Sequence, residues 1–151
     1  MYRTGWTDGE PQAWSVLPRR MIVVMTTISD PMQRVFAHGD VIDMTTTGRR
    51  SGQPRRIEIV YHVKDGRIYI SGSPRRQRRS WLANLDADPH FTFHVKRGQK
   101  ADLPATARII EDPEERRTVM RYIIESAWHG QDLETMVAYS PLIEVTFDAA
   151  A

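Results

Sequence analysis

The sequence predicts a mainly β protein, a small barrel with flanking helices, and three observations predict it. Stretches of alternating or β-branched residues recur at short intervals, most clearly at residues 56–64 and 90–96. The dipeptide Asp65-Gly66 joins two such stretches and is a strong signal for a type I′ hairpin turn. Helical patterns are few and do not alternate regularly with strands, which disfavours a Rossmann sheet. We therefore expect about six antiparallel strands closed into a barrel.

Taken in chain order, the elements start after a poorly periodic N-terminal region. Asp30 followed by Pro31 predicts a short helix that ends near Ala37. We expect residues 1–40 to be a partly helical, mobile segment and residues 41–151 to be the barrel domain. Asp112, with Pro113 after it and two acids in the first turn, predicts the start of a long helix. The predicted strands are residues 42–47, 56–64, 67–71, 90–96, 101–111 and 141–147, and the other predicted helices are residues 77–85 and 132–138.

Composition narrows the class of protein. A chain of 151 residues is most simply one domain, and its 26% charged and 40% hydrophobic content is ordinary for a globular protein. No apolar run approaches the ~20 residues that span a bilayer, so an integral membrane protein is not expected. The absence of cysteine excludes disulfides, thiolate metal sites and cysteine nucleophiles. We expect a cytoplasmic protein, with peripheral membrane contact as an open alternative.

The positive charge is concentrated in one part of the chain. Between residues 49 and 79 there are ten Lys or Arg against two acids, a local balance of +8, whereas the whole chain carries only +2. Nearly all of these cations are arginines, which favour planar, bidentate recognition of phosphate and carboxylate. The sequence therefore predicts an anionic ligand for this segment.

Two clusters within the basic segment are candidates for the ligand site. The first is a turn, Thr-Thr-Thr-Gly-Arg-Arg-Ser-Gly-Gln-Pro-Arg, at residues 45–55. The second is Arg-Arg-Gln-Arg-Arg at residues 75–79, which follows small residues and enters a predicted helix whose N-terminal amides could add donors. A solvated charge run is the ordinary explanation of either cluster alone. Because a hairpin brings both clusters to one end of the barrel, we favour a single pocket.

No metal site is expected. His90 and His94 are the only closely spaced histidines, and in a strand they share a face with Thr92 and Lys96. We interpret that face as solvated rather than as a metal site.

The order of these motifs resembles the deazaflavin-dependent nitroreductase family. The resemblance covers about residues 40–148 and rests on the motif at residues 45–55, the Asp65-Gly66 hairpin, Ser71, Trp-Leu-Ala-Asn-Leu at residues 81–85 and the helix start at residues 112–116. It implies a split β-barrel similar to flavin-binding barrels. It also implies hydride transfer from the reduced 8-hydroxy-5-deazaflavin coenzyme, coenzyme F-420, to a small electron-poor acceptor such as a quinone, an enone or a nitro compound.

The resemblance also implies which residues bind the coenzyme. Arg49, Arg50, Ser51 and Arg55 would hold its phosphate and oligoglutamate tail, and Ser71 would lie beside its ring. The full set of expected coenzyme-binding residues is Arg49, Arg50, Ser51, Arg55, Ile57, Ser71, Gly72, Arg76, Arg78, Ser80 and Trp81.

The acceptor side is less defined by the resemblance. Tyrosines that line the acceptor pocket in nitro-drug-activating members align with Ala127 and Gly130. The remaining candidates for a catalytic role are Ser71, Trp128, His129 and Tyr139.

Other functions stay open at this point. These are a barrel that binds FMN, FAD or haem in another redox role, a non-catalytic carrier of an anionic ligand, and a nucleic-acid binding module. Nucleic acid is disfavoured because few aromatic residues accompany the basic segment. The oligomeric state, monomer or homodimer, also stays open.

Overall fold

The computed structural model describes residues 30–149, which form six strands and four helices in the order α1, β1, β2, β3, α2, β4, β5, α3, α4, β6. The strands are β1 (Val41–Thr47), β2 (Pro54–Lys64), β3 (Arg67–Ser71), β4 (His90–Val95), β5 (Ala101–Ile109) and β6 (Leu142–Phe147). The helices are α1 (Asp30–Ala37), α2 (Ser80–Ala87), α3 (Pro113–Ser126) and α4 (Leu133–Tyr139). Tryptophans 6 and 14, part of the expected N-terminal segment, lie outside the described residues.

The six strands form a closed antiparallel barrel in the order β1-β2-β3-β6-β5-β4, which confirms the predicted fold class. The turn at Asp65-Gly66 sets the register between β2 and β3, where Lys64 pairs with Arg67. Both turn residues have positive φ, 52° and 74°, as a type I′ turn requires.

The barrel interior holds the main core. Alternate, inward-facing residues of the six strands fill it, including Ile42, Met44, Ile70 and Phe93, all at most 1% exposed. Helix α1 contributes to the same core through Val35, whose carbonyl accepts a hydrogen bond from the Tyr61 hydroxyl at 3.0 Å. Helix α2 adds Trp81, Leu82 and Leu85.

A second core lies outside the barrel, between the sheet and the helix pair α3–α4. It contains Tyr69 and Leu142 from the strands, and Met120, Ile123 and Met136 from the helices. Both helices begin as their sequences predict: Asp112 accepts from the Glu115 amide at 2.9 Å, and Asp132 accepts from the Thr135 amide at 2.9 Å. No helix between residues 30 and 149 is long and apolar enough to cross a bilayer.

One helix begins later than its sequence predicts. Helix α2 starts at Ser80 rather than at residue 77, because Arg79 is extended (φ −70°, ψ 145°) and serves as its N-cap. Arg76, Gln77 and Arg78 therefore lie in a loop before the helix.

Candidate functional site

Residues 48–55, which are the turn between β1 and β2 and the first two residues of β2, are here called the arginine turn. It is closed by backbone hydrogen bonds from Gly48 to the Gln53 carbonyl and from Gly52 to the Gly48 carbonyl, both 2.8 Å. Gly52 has φ +71°, which glycine adopts without strain. The Ser51 hydroxyl accepts from the Gln53 amide at 3.1 Å and from Arg55 at 3.4 Å. The Ser51 side chain therefore helps to shape the turn.

The buried side chain of Asn84 fastens the arginine turn to α2. Its Oδ1 accepts from both the backbone amide and Nη1 of Arg49, at 3.1 and 3.0 Å. Its Nδ2 donates to Thr46 Oγ1 at 3.0 Å. Two of the sequence motifs that carry the family resemblance, residues 45–55 and 81–85, are thus in direct contact.

Two arginines of the turn have no acidic partner within residues 30–149. Arg50 and Arg55 are exposed, and neither forms an ion pair there, whereas Arg56 pairs with Asp43 at 2.9 Å. Glu58, the acid nearest in sequence, is bound by Lys96. Nearby carboxylates are therefore neutralised by other cations, and Arg50 and Arg55 stay available for an anionic ligand.

Residues 75–79, here called the arginine loop, border a separate cleft of about 370 Å³. This opening is here called the arginine cleft, and apolar side chains of β5, β6 and α2 also line it. Its other cation is Arg116, which donates to four backbone carbonyls, those of Ile110, Met136, Val137 and Ser140. The loop is held to α4, since the Arg75 amide donates to the Tyr139 carbonyl at 3.2 Å and the Arg76 guanidinium lies 5.9 Å from the Tyr139 ring centroid. Arg76 and Arg78 are exposed, and Arg78 pairs with Asp86 at 3.4 Å.

Arg79 differs from the other arginines of the loop, and although it belongs to the candidate cluster predicted from the sequence, it is not among the expected coenzyme-binding residues. It is partly buried, and its guanidinium lies over Gly72 at the end of β3, where it donates to Ser73 Oγ at 3.2 Å. A Cβ built on Gly72 would lie 3.1 Å from the guanidinium, so the glycine leaves the room that Arg79 occupies. A conspicuous run of four arginines gave no signal that one of them differs.

A second opening, here called the strand groove, has a volume of about 440 Å³. It is lined by Ile59, Val60, Ser71, Gly72, Ser73, Trp128 and Gln131. Apolar side chains, small residues and an indole form its walls, as is usual for sites that accept a flat aromatic ring. The arginine turn contacts α2, the N-cap of α2 contacts Gly72, and Gly72 lines the groove, so a chain of contacts links the predicted motifs.

The four catalytic candidates do not share one cleft. Ser71 and Trp128 line the strand groove, Tyr139 lines the arginine cleft, and His129 is exposed and lines neither. The Ser71 hydroxyl is buried and donates to the Pro141 carbonyl at 2.6 Å. That bond gives Ser71 a structural role.

The other expected binding residues differ in exposure. Ser80 is exposed at the first position of α2, and Ile57 is partly buried against the barrel core. Trp81 is only 8% exposed and packs in the barrel core, so its contribution to a ligand site is to support α2.

The histidine face is not the solvated one that the sequence predicts. His94 is 8% exposed, with Nε2 2.7 Å from Thr45 Oγ1 and Nδ1 2.7 Å from Asp102 Oδ1. The prediction was wrong for His94 because neighbouring strands of a closed barrel bring partners to both ring nitrogens. The Asp102 pKa is lowered by this hydrogen bond.

His62 is a second histidine that sequence reasoning missed. It is 5% exposed on the outer face of β2, its Nε2 has no hydrogen-bond partner among the described residues, and its ring meets Trp128 edge-on at 5.4 Å. Burial lowers the pKa of His62 to about 4, so the ring is neutral at physiological pH. His62 therefore backs the indole that forms one wall of the strand groove.

Three solved structures with the same fold are similar to this chain. A putative 5-nitroimidazole antibiotic resistance protein from Bacteroides thetaiotaomicron is 17% identical, with a TM-score of 0.58 over 81% of this chain and 82% of that one. An F420-H2 dependent reductase (FDR-A) is 23% identical, with a TM-score of 0.51 over 70% of this chain and 93% of the other. A structure described as a domain-swapped dimer is 22% identical, with a TM-score of 0.54 over 84% and 92% of the two chains. At these identities the likeness shows the fold.

The family itself is shown by sequence. The model of the family described as "F420H(2)-dependent quinone reductase" matches residues 19–138, which is most of the chain and includes the arginine turn, the strand groove and the arginine loop. The chain therefore belongs to the F420H(2)-dependent quinone reductase family.

Proposed function

We propose that this protein is a reductase that transfers a hydride from reduced coenzyme F-420 to a small electron-poor acceptor, a quinone, an enone or a nitro compound. Family membership supports the reaction class. The observation that carries the proposal is the chain of contacts between the arginine turn and the strand groove: Arg49 contacts Asn84 of α2, and Arg79, the N-cap of α2, lies over Gly72.

The residues present fit such a coenzyme. The strand groove offers the apolar side chains of Ile59 and Val60, the backbone of Gly72 and the Trp128 indole to a planar ring. Arg50 and Arg55, without acidic partners in the described part of the chain, offer charge-assisted donors to phosphate and carboxylate groups. The exposed loop arginines Arg76 and Arg78 extend the positive surface along the chain.

When bound, the reduced deazaflavin would supply the hydride, and the protein would supply binding and orientation. Ile59, Val60 and Trp128 would hold the ring in the strand groove. The Ser71 hydroxyl already donates to the Pro141 carbonyl, so we assign it no part in proton transfer. The proton that the reduced acceptor needs would come from solvent.

Binding of the oxidised coenzyme tests the proposal. Purified protein is titrated with oxidised coenzyme F-420, FMN, FAD and haem, and fluorescence or absorbance is followed. We expect saturable micromolar binding of the deazaflavin, and hydride transfer to menadione when the reduced form is supplied. Saturable binding of FMN, FAD or haem without the deazaflavin would instead favour a barrel of other redox role. Binding of the deazaflavin without turnover of any acceptor would favour a non-catalytic carrier.

Arginine variants test the location of the site. Arg50→Ala and Arg55→Ala should each weaken coenzyme binding by about tenfold to a hundredfold, since each removes a charge-assisted hydrogen bond. The matched control is Arg121→Ala, because Arg121 is exposed on α3, lines neither cleft and removes the same charge. An unchanged Kd in both turn variants would place the anionic groups elsewhere.

A homodimer is the assembly that we propose for this chain, on the precedent of the domain-swapped dimer among its fold relatives. Sedimentation at micromolar protein concentration distinguishes it from the monomer.

A further inference from the structure

The arginine loop contains one cation whose surroundings set it apart from the other three. Arg75, Arg76 and Arg78 are exposed, whereas Arg79 is partly buried. Burial, and after it the nearby Arg75 cation, lower the pKa of Arg79. Its one side-chain partner among residues 30–149 is the neutral Ser73 hydroxyl.

The backbone around Arg79 holds this arrangement in place. Arg79 is the N-cap of α2, and its carbonyl accepts the first helical bond, from the Ala83 amide at 3.1 Å. At the other end of the loop the Arg75 amide is fixed to the Tyr139 carbonyl. The backbone that carries the Arg79 side chain is therefore held at both ends of the segment, at Arg75 and at Arg79.

Gly72 is the second half of the arrangement. Its missing side chain leaves space that the guanidinium fills, with three guanidinium atoms 3.1 to 3.2 Å from a Cβ built there. Gly72 and Ser73 line the strand groove, and Arg79 lines the arginine cleft. The Arg79 side chain thus lies between the two openings.

A partly desolvated cation that lacks a counter-ion favours an incoming anion, because the ligand supplies the missing charge partner without displacing one already present. We propose that Arg79, seated over Gly72, binds the phosphate of a ligand whose ring lies in the strand groove, and so selects phosphate-bearing deazaflavins over neutral ones. This inference rests on the proposed function and adds to it the residue that discriminates between forms of the cofactor.

Two probes with the same ring separate this role from ring binding. Oxidised coenzyme F-420 carries the phosphate, and its riboside fragment, the deazaflavin without phosphate and tail, does not. Wild-type protein, Arg79→Ala, Arg79→Lys and the control Arg121→Ala are titrated with each probe, and thermal unfolding is recorded for each variant. We expect Arg79→Ala to weaken binding of the coenzyme by about tenfold to a hundredfold and binding of the riboside less than threefold. Arg79→Lys should recover part of the loss, and Arg121→Ala should match the wild type.

A second pair of variants tests the contact between the Arg79 guanidinium and Gly72. Gly72→Ala places a methyl group against the guanidinium and should weaken binding of the coenzyme several-fold. In the Arg79→Ala background the same change should weaken binding of the coenzyme no more than it weakens binding of the riboside, since the guanidinium that it displaces is gone and only its effect on the groove wall is left. Additive effects of the two changes would overturn the pairing of Arg79 with Gly72.

The outcomes also distinguish this inference from the proposed function. If wild-type protein binds the coenzyme and Arg79→Ala binds it equally well, the role of Arg79 is wrong and the proposed function stands. Equal losses for both probes, or a lowered melting temperature that accounts for them, would mean that Arg79 only supports the groove. Wild-type protein that binds neither probe overturns the proposed function, and the selection by Arg79 falls with it.

Discussion

Asn84 Oδ1 accepts two hydrogen bonds from a single residue, the amide and the guanidinium of Arg49, and so locks the arginine turn onto α2. The Asn84 side chain also donates, through Nδ2, to Thr46 Oγ1, so one buried side chain serves three polar groups. The orientation of the turn therefore depends on a residue that need not contact the ligand.

Replacing Asn84 tests this dependence. Asn84→Ala should lower the free energy of unfolding by about 1–3 kcal/mol, because Thr46 and the Arg49 amide lose a buried partner. Binding of the coenzyme should weaken as well, since the turn is no longer held. Chemical denaturation and coenzyme titration measure the two effects. Asn84→Asp keeps an acceptor for Arg49, and we expect it to retain more of the affinity than Asn84→Ala does; the reverse order would contradict the role of the Arg49 contact.

Ser71 is expected to matter for stability and not for chemistry. Ser71→Ala removes the hydrogen bond to the Pro141 carbonyl and should cost about 1–2 kcal/mol of unfolding free energy. With reduced coenzyme and menadione, kcat should change less than threefold at a temperature where the variant is folded. A fall in kcat of a hundredfold or more would assign the hydroxyl to the reaction.

His62 predicts a pH dependence of stability. Its pKa is about 4 in the folded protein against an ordinary value of 6.5, so between these values the unfolded state binds more protons. The free energy of unfolding is therefore unaffected by His62 above about pH 6.5 and falls as pH drops toward 4, by up to about 3 kcal/mol.

The matching variant is His62→Phe, which keeps an aromatic ring against Trp128 and removes the titration. Urea unfolding at intervals from pH 7 to pH 4 should give a shallower decline for His62→Phe than for the wild type. The exposed His129→Gln variant should keep the wild-type slope. Parallel curves for all three proteins would mean that His62 does not carry the effect.

Trp128 is expected to be the aromatic residue that matters for the ligand. Trp128→Ala should weaken binding of the oxidised coenzyme by roughly tenfold, because the ring loses the indole wall of the strand groove. Trp128→Phe should recover most of that affinity. Tyr139→Phe serves as the comparison, because Tyr139 lines the other cleft; a larger effect there than at Trp128 would move the ring to the arginine cleft.

Local signals made much of the fold predictable. The Asp65-Gly66 turn, the Asp112 cap and the alternation of β2 depend on neighbours in sequence, and each is confirmed. The arginine turn was recognisable for the same reason, because its glycines and arginines lie within a few residues of one another.

The missed features depend on contacts between residues that no local pattern links. Arg79 contacts Gly72 across the loop that joins β3 to α2. His94 is buried because β1 and β5 both flank β4, and His62 because Trp128 returns to cover β2. Neither the chemistry of single side chains nor the periodicity of the sequence predicts such contacts. They arise from how strands, loops and helices pack around the barrel.

Closure of the barrel also limits how copies of this protein can assemble. Each of the six strands pairs with a neighbour on both sides over part of its length, so none of them is an edge strand throughout. Between the described parts of two copies, extension of the sheet along a whole strand is therefore closed off. We expect a homodimer to form mainly through side-chain surfaces or by exchange of a whole element, and a variant that opens the seam between two strands should be recognisable by its tendency to aggregate.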